Sequence, residues 1–420
     1  MSEVKKTPNG WVETTLGEVV ERITKGTTPK TFSSNNDDIN YIKSDALNYG
    51  GFLESNKFVK ITNKVNEELK RSQLKVDDIL LSMAGEYLGK TGLVKEEHLP
   101  ANTNQAVAII TVDKNIVDHI FLWYKLRDIN TVKYFKSIPS QSAQPNINFQ
   151  EIRTLSIYLP QISEQKSIAS ILTAFDDKIQ LLQAQNKTLE ATAQTIFTEW
   201  FGKYQIGDDL PDGWRIFQLN ELVDIVNGYS YKGSELVEYS DEVLVTLKSF
   251  DRNGGFQTRG FKPFRGNPKE NQEVKIGDLV VAHTDLTQDA EVLGNPAFIF
   301  DDGGFKKMYI TMDLVKVVSI HKDISSSFLY YLMKDKAFKG HCVGYSNGTT
   351  VLHLSKKAIP EYQLLLPIDF SLIKRFSEIA DSTTTKISLN KTTIKSLTQT
   401  RDELLPRLMS GEIRVNEFKN

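Results

Sequence analysis

SEQKSIASILTAFDDKIQLLQAQNKTLEATAQTIFTEWF, residues 163–201, is the stretch whose reading decides the architecture. Its apolar residues Ile168, Leu172, Phe175, Ile179, Leu182, Leu189, Ala193, Ile196 and Trp200 fall on alternating three- and four-residue steps, and only Asn186 interrupts the seam. A heptad pattern of this length predicts a long helix packing one stripe against another helix. The candidate partner is in the same chain. At an offset of 208 residues, Ile387, Ile394, Leu397, Leu404 and Leu408 stand where Ile179, Asn186, Leu189, Ile196 and Trp200 stand in the first helix. Ser163 is the expected N-cap of the first helix and Gly202 its stop. The second helix is expected from Asp369 or Ser371 to Gly411, with Pro406 kinking or shortening its last turn.

Each helix follows a much larger segment, and these segments also repeat. Gly10-Trp11 and Asp212-Gly213-Trp214 open them, Asp78-Ile79-Leu80-Leu81 and Asp278-Leu279-Val280-Val281 recur inside them, and Leu159-Pro160 and Leu366-Pro367 close them. The inner runs read as short buried strands after a turn. Further strands are expected near Tyr41–Ile42, Ala106–Val112, Val243–Leu247 and Tyr309–Val318, and helices near Val117–Arg127 and Ser326–Met333. The domain reading is 1–160, a helix in 161–204, a second domain in 205–367 and a helix in 368–420. The fold class is α+β: two similar globular domains with mixed sheets, separated by two long antiparallel coiled-coil helices about a pseudo-two-fold axis. The register that sets Asn186 opposite Asn390 also sets Leu182 opposite Ile394, so an amide pair can fix both register and orientation. About 38 helical residues span roughly 57 Å, comparable to one or two turns of B-DNA.

Composition narrows the class. The chain has 420 residues, 40% of them hydrophobic and 25% charged, enough for two or three domains with real cores. No run of about 18 apolar residues occurs, so a soluble cytoplasmic protein without a membrane partner is expected. A single cysteine, Cys342, excludes an internal disulfide and a cysteine-rich zinc site, and reads as a small, partly buried residue. The six histidines show no metal-ligand spacing, so no metal is expected. The net charge is −2, with +1 in 1–160, −1 in 161–204, −4 in 205–367 and +2 in 368–420. A nucleic-acid partner therefore requires clustering of charge on one face, or phosphate contacts supplied by another protein.

No catalytic constellation stands out. Asn295-Pro296-Ala297-Phe298 resembles the amino-methyltransferase signature Asn-Pro-Pro-Phe, but it lacks the second proline and no glycine-rich cofactor loop accompanies it. It reads instead as a turn into a strand at Phe298–Phe300. The phosphate-cradling pattern G-x-x-x-x-G-K-[ST] is absent. A binding protein, not an enzyme, is the expectation.

Taken together, DDILLSMAGEYLGKTGLV at 77–94, QPNIN at 144–148, LPQISEQKSIASIL at 159–172, IFTEWF at 196–201 and LLPRLMSGEIRV at 404–415 resemble the specificity subunit of Type I restriction-modification systems. The resemblance covers essentially the whole chain. It departs at LLLPIDFSLIKRF, 364–376, where the second half lacks the form seen at 159–168. What it implies is two target-recognition domains, each reading one half of a bipartite double-stranded DNA site, with the helices as a ruler. It also implies docking of two methyltransferase subunits that carry S-adenosylmethionine, and of restriction subunits that use ATP and Mg for translocation and cleavage; no cofactor would bind this chain. Two rivals remain: the specificity subunit of a related system whose partner fuses methylation and cleavage, and a two-headed coiled-coil scaffold for proteins or glycans.

Base edges are read by amides, hydroxyls and basic groups on loops near strand ends. In the first domain the candidates are Lys43 and Ser44; Ser82, Glu86, Tyr87, Lys90 and Thr91; Asn102, Asn104 and Gln105; and Gln141, Ser142, Gln144 and Asn146. In the second they are Lys248 and Ser249; Thr284, Asp285 and Gln288; and Tyr345, Ser346, Asn347, Thr349 and Thr350. Each is also an ordinary turn or loop residue, so the clusters carry the reading more than any member does.

Overall fold

The computed structural model describes residues 10–36, 38–138, 145–250 and 255–415. The chain divides into two compact units, 1–180 with 395–420, and 181–394.

In the first unit a four-stranded antiparallel sheet runs in the order Val20–Lys25, Val107–Val112, Ile79–Ser82, Thr91–Leu93. Its strand Ile79–Ser82 is buried at every position because both faces are covered. Ile79 and Leu81 enter one core, with the helix His119–Arg127, while Leu80 enters another, with Ile42 and Leu74. A second sheet joins Val59–Ile61, Ile39–Ile42 and Ala101–Thr103, the last two parallel. The second unit uses the same plan. Leu279 and Val281 face one core and Val280 and Ala282 another, on a strand between Leu314–Ser319 and Pro296–Phe298. Its parallel pair is Glu242–Val245 with Lys307–Ile310.

The opening and closing motifs of each segment meet. Val12–Thr15 pairs antiparallel with Ser156–Leu159, Val12 opposite Leu159, and Trp214–Gln218 pairs with Gln363–Pro367, Trp214 opposite Pro367. Each head is thus tied shut at the point where its long helix begins. A shared aspartate also recurs: Asp128 caps the helix Ile129–Ser137 after His119–Arg127, and Asp335 caps Lys336–Gly344 after Ser326–Lys334.

The first long helix spans Ile162–Phe201 and the second Ser371–Met409. Within each unit they run antiparallel. In the first, Arg401 meets Asp176 and Arg414 meets Glu164; in the second, Asn390 meets Asn186 and Phe376 meets Phe197 and Phe201. The two amides touch, Asn390 Nδ2 donating to Asn186 Oδ1 at 2.8 Å and to Gln185 Oε1 at 2.8 Å.

Several local expectations are corrected. Ser163 is not the cap: the helix starts at Ile162, and the Gln161 carbonyl accepts from the Glu164 and Gln165 amides. The second helix ends at Met409, just short of Gly411, with Pro406 inside its last turn; so close to the C-terminus the missing N–H removes one of the last helical bonds only. Tyr309–Val318 is two strands, because the turn at Thr311–Asp313 passes the chain from one sheet to the other. The strand after Asn295 is Pro296–Phe298, not Phe298–Phe300. At the end of the first long helix Phe197 and Phe201 are buried while Ile196 and Trp200 are half-buried. Cys342 is fully buried, and burial pushes its thiol up to about 12. Among the described residues no helix is long and apolar enough to cross a membrane.

The first unit holds a buried charge junction. Asp176, 2% exposed, receives Arg127 Nη1 at 2.7 Å, Arg401 Nη1 at 2.6 Å and the Tyr124 hydroxyl at 2.8 Å. It joins a head helix to both long helices. Arg401 keeps Asp402 as a second partner, whereas Arg127 otherwise packs on the rings of Trp123 and Tyr124. Removing the carboxylate strands Arg127 in an apolar site. Asp176→Ala is expected to cost about 3–5 kcal/mol, seen in chemical denaturation as early unfolding of the first unit.

Candidate nucleic-acid interface

In the first unit the loop after Ile79–Ser82 folds over onto the segment before Ile147. Gly85 N donates to Pro145 O at 2.9 Å, Ile147 N to Met83 O at 2.9 Å, and Ala84 bridges to Asn146. This brings Glu86, Tyr87 and Lys90 to one side of exposed Asn146. Lys90 Nζ lies 4.4 Å from the Tyr87 ring centre and 5.4 Å from that of Tyr49, and Lys136 Nζ lies 4.8 Å from Tyr49. Tyr49 is exposed and comes from a different stretch, as does Lys136, so the sequence pattern did not single them out. Cations set among exposed rings suit phosphate and base contact. Lys43 stands 3.7 Å from Asp45, beside half-buried Ser44, and Gln105 is exposed at the next strand end. Asn104 Oδ1 accepts from Ala106 N, shaping that turn.

In the second unit the corresponding loops make a three-stranded sheet, Thr284–Asp285, Leu352–Leu354, Ser346–Asn347. Its middle strand sets His353 opposite both Thr284 and Asn347. Leu352 and Leu354 point inward while His353 is exposed, as the alternation of a strand requires. Gly348, at φ +124, closes the hairpin where any Cβ would meet the Val351 carbonyl at 2.0 Å. Exposed Asn347, Thr349 and Thr350 sit on that hairpin, and Tyr345 stacks on His341 at 4.5 Å. Gln288 and Lys248 are exposed, and Ser346 Oγ donates to Val343 O. Burial, with His353 and Lys356 alongside, pushes the neighbouring His283 imidazole below its ordinary value and keeps it neutral. His353 is legible only from strand register.

Six candidates are corrected from surface readers to buried residues, three of which brace their surroundings through side-chain hydrogen bonds. Ser82, Thr91, Asn102, Ser249, Thr284 and Asp285 are buried. Asn102 Nδ2 donates to Asn66 Oδ1 at 3.0 Å, and Thr284 Oγ1 to Asp313 Oδ1 at 2.8 Å. Asp285, 2% exposed, accepts from the amides of Thr287, Val292 and Leu293. Gln141, Ser142 and Gln144 lie outside the described residues.

Residues 8–191 and 211–399 each match the family described as Type I restriction modification DNA specificity domain. The chain belongs to that family. Its relatives include the Type I restriction enzyme MjaVIII specificity subunit of Methanocaldococcus jannaschii, 26% identical over 98% of this chain and 95% of that protein. The HindI specificity subunit of Haemophilus influenzae is 25% identical over 96% of this chain and 99% of that protein. In fold, this member of the specificity family resembles the crystal structure of the Type-I restriction-modification system S subunit from M. genitalium. That likeness has a TM-score of 0.59 at 16% identity, over 97% of this chain and 98% of the other.

Burial alone raises the Asp285 carboxyl, but the amides it accepts outweigh this and hold it below the ordinary carboxylate range. With the folded value depressed, its contribution is complete above the unfolded value and is lost as pH falls through the folded one. The loop 286–293 should therefore loosen below about pH 4. At neutral pH, Asp285→Ala should cost roughly 1–3 kcal/mol of local stability, read as lost exchange protection at the Val292 and Leu293 amides.

Proposed function

We propose that this chain is the DNA-reading subunit of a Type I restriction-modification methyltransferase. Each head reads one half of a bipartite double-stranded site, and the paired long helices fix the spacing of the halves and dock two methyltransferase subunits. The observation that carries the reading is the duplication: the specificity-domain match falls twice in one chain, and each copy gathers polar loops at the ends of its central strands. Asn186 and Asn390 then have the role of fixing helix register, since slippage would leave a buried amide unpaired in an apolar seam.

Catalysis belongs to the partners. Methyltransferase subunits would bring S-adenosylmethionine, and restriction subunits ATP and Mg, while this chain binds none of them. A formal charge of −2 fits a reader whose phosphate contacts are shared with those partners. A protein or glycan scaffold predicts otherwise: binding of the assembled complex to its target would not weaken steeply with salt, as DNA recognition must.

Adenine methylation mapped in cells with and without this chain tests the reading directly: a gapped motif that depends on the chain is the expected result. At the level of residues, Asn347→Ala should cost about 1–3 kcal/mol at base pairs of one half-site only, and Asn146→Ala likewise at the other. Binding of the complex to sites mutated in one half at a time checks this, and uniform weakening on every sequence would make the residue a backbone contact.

A further inference from the structure

The two heads share one turn but not its residues. In the first, residues 104–106 carry the chain from Ala101–Thr103, of the parallel pair, into Val107–Val112 of the four-stranded sheet. In the second, residues 311–313 carry it from Lys307–Ile310, again of the parallel pair, into Leu314–Ser319. Backbone hydrogen bonds set the alignment. Met83, just after Ile79–Ser82, donates its N–H to Ala106 O at 2.8 Å, and His283, just after Leu279–Ala282, donates to Asp313 O at 2.7 Å. Ala106 therefore corresponds to Asp313, and Gln105 to Met312. Both Gln105 and Met312 are exposed, Met312 at 58%. Gln105 presents an amide, which can bond the edge of adenine, whereas Met312 presents a thioether with nothing to donate.

The Met312 turn is fixed on both sides. Met312 N donates to Tyr229 O at 3.0 Å. Thr284 Oγ1 donates to Asp313 Oδ1 at 2.8 Å, which stitches the turn to Thr284–Asp285 of the three-stranded candidate sheet. Ser230 Oγ donates to the Met312 sulfur at 3.5 Å, so the weak acceptor of this side chain is engaged within the protein. A second apolar side chain, Leu286 at 62% exposure, directly follows Asp285, on the loop whose amides that carboxylate gathers. Apolar residues scattered singly over a surface need no explanation. These two instead sit on turns attached to the same short strand, beside exposed Gln288 and His353. The apolar group that a base pair offers in the major groove is the 5-methyl of thymine.

We infer that the second head reads a thymine by its 5-methyl group, through Met312 at the position where the first head presents Gln105, with Leu286 as a flanking apolar contact. The inference rests on the DNA-reading role proposed above and adds to it a base and the atom by which it is read. Burying one methyl against an apolar side chain corresponds to about threefold to tenfold in affinity.

Deoxyuridine in place of thymidine removes that methyl and leaves the hydrogen bonds of the base pair intact. The complex of this chain with its methyltransferase subunits is titrated with its mapped site, and with versions carrying one deoxyuridine at each thymine in turn. At one thymine the replacement should weaken binding about threefold to tenfold. Met312→Ala, at an exposed position that does not endanger folding, should lose that preference, while Gln105→Ala keeps it. Equal binding of every deoxyuridine version by the unaltered complex would overturn the inference. So would a Met312→Ala complex that prefers thymine as strongly as before, or one weakened equally on every sequence. Each of these leaves site-specific DNA reading intact; a complex that recognises no gapped site would overturn that reading, and the inference with it.

Discussion

The structure depends on the burial of one stripe of each long helix against the other. An Ile and Leu seam supplies attraction but tolerates sliding by a turn; the polar residues within it do not. In the second unit Asn390, 2% exposed, has its amide bonded to Asn186 and Gln185, and in the first Asp176 is clasped by Arg401 from the facing helix. A shift of either pair by one turn removes these partners from buried groups, which is far more costly than exchanging one aliphatic contact for another. Strong apolar packing thus makes the helices associate, and sparse polar pairing decides how.

The heads are joined to this pairing through their cores. Ile168, Ala169 and Leu172 share a core with Leu405, Leu408 and with Trp11 and Leu159 of the first head. In the second, Phe376 lies among Phe197, Phe201, Phe328 and Tyr331, so rings from both long helices and from a head helix close on one another. A carboxylate on the first long helix also reaches a tyrosine and a cation of the head helix in both units: Asp176 with Tyr124 and Arg127, Glu190 with Tyr330 and Lys334. Each head is consequently held in orientation on its own part of the helices, as a reader of a fixed site must be.

Much of this was legible in the residues. The runs Ile79–Leu81 and Leu279–Val281 announce strands covered on both faces, and the heptads announce the long helices. The failures have physical causes. A helix of 3.6 residues per turn drifts about 20° per heptad against a 3.5 repeat, so by the end of the first helix the buried face has moved from Ile196 and Trp200 to Phe197 and Phe201. Thr311 and Met312 are acceptable in a strand, which hid the turn between Lys307–Ile310 and Leu314–Ser319. Nothing in the sequence marks Asp176 or Arg401, whose burial depends on distant partners closing around them. At the candidate interface the loops were visible, but not the direction of their side chains. Small polar residues such as Thr284 and Asp285 look alike whether they face solvent or brace a turn, and His353 gains its place only from strand pairing, Tyr49 from a turn that brings it to distant Lys90 and Lys136.

The claim at the centre is that helix pairing sets the distance between two DNA half-sites. Inserting one matched heptad into both long helices preserves the seam while lengthening it by about 10 Å, or about three base pairs. The measurement is the affinity of the assembled complex for sites whose two halves are separated by gaps of increasing length. The account predicts that the preferred gap grows by that amount with the half-sites themselves unchanged; a variant complex that keeps the original gap would contradict it.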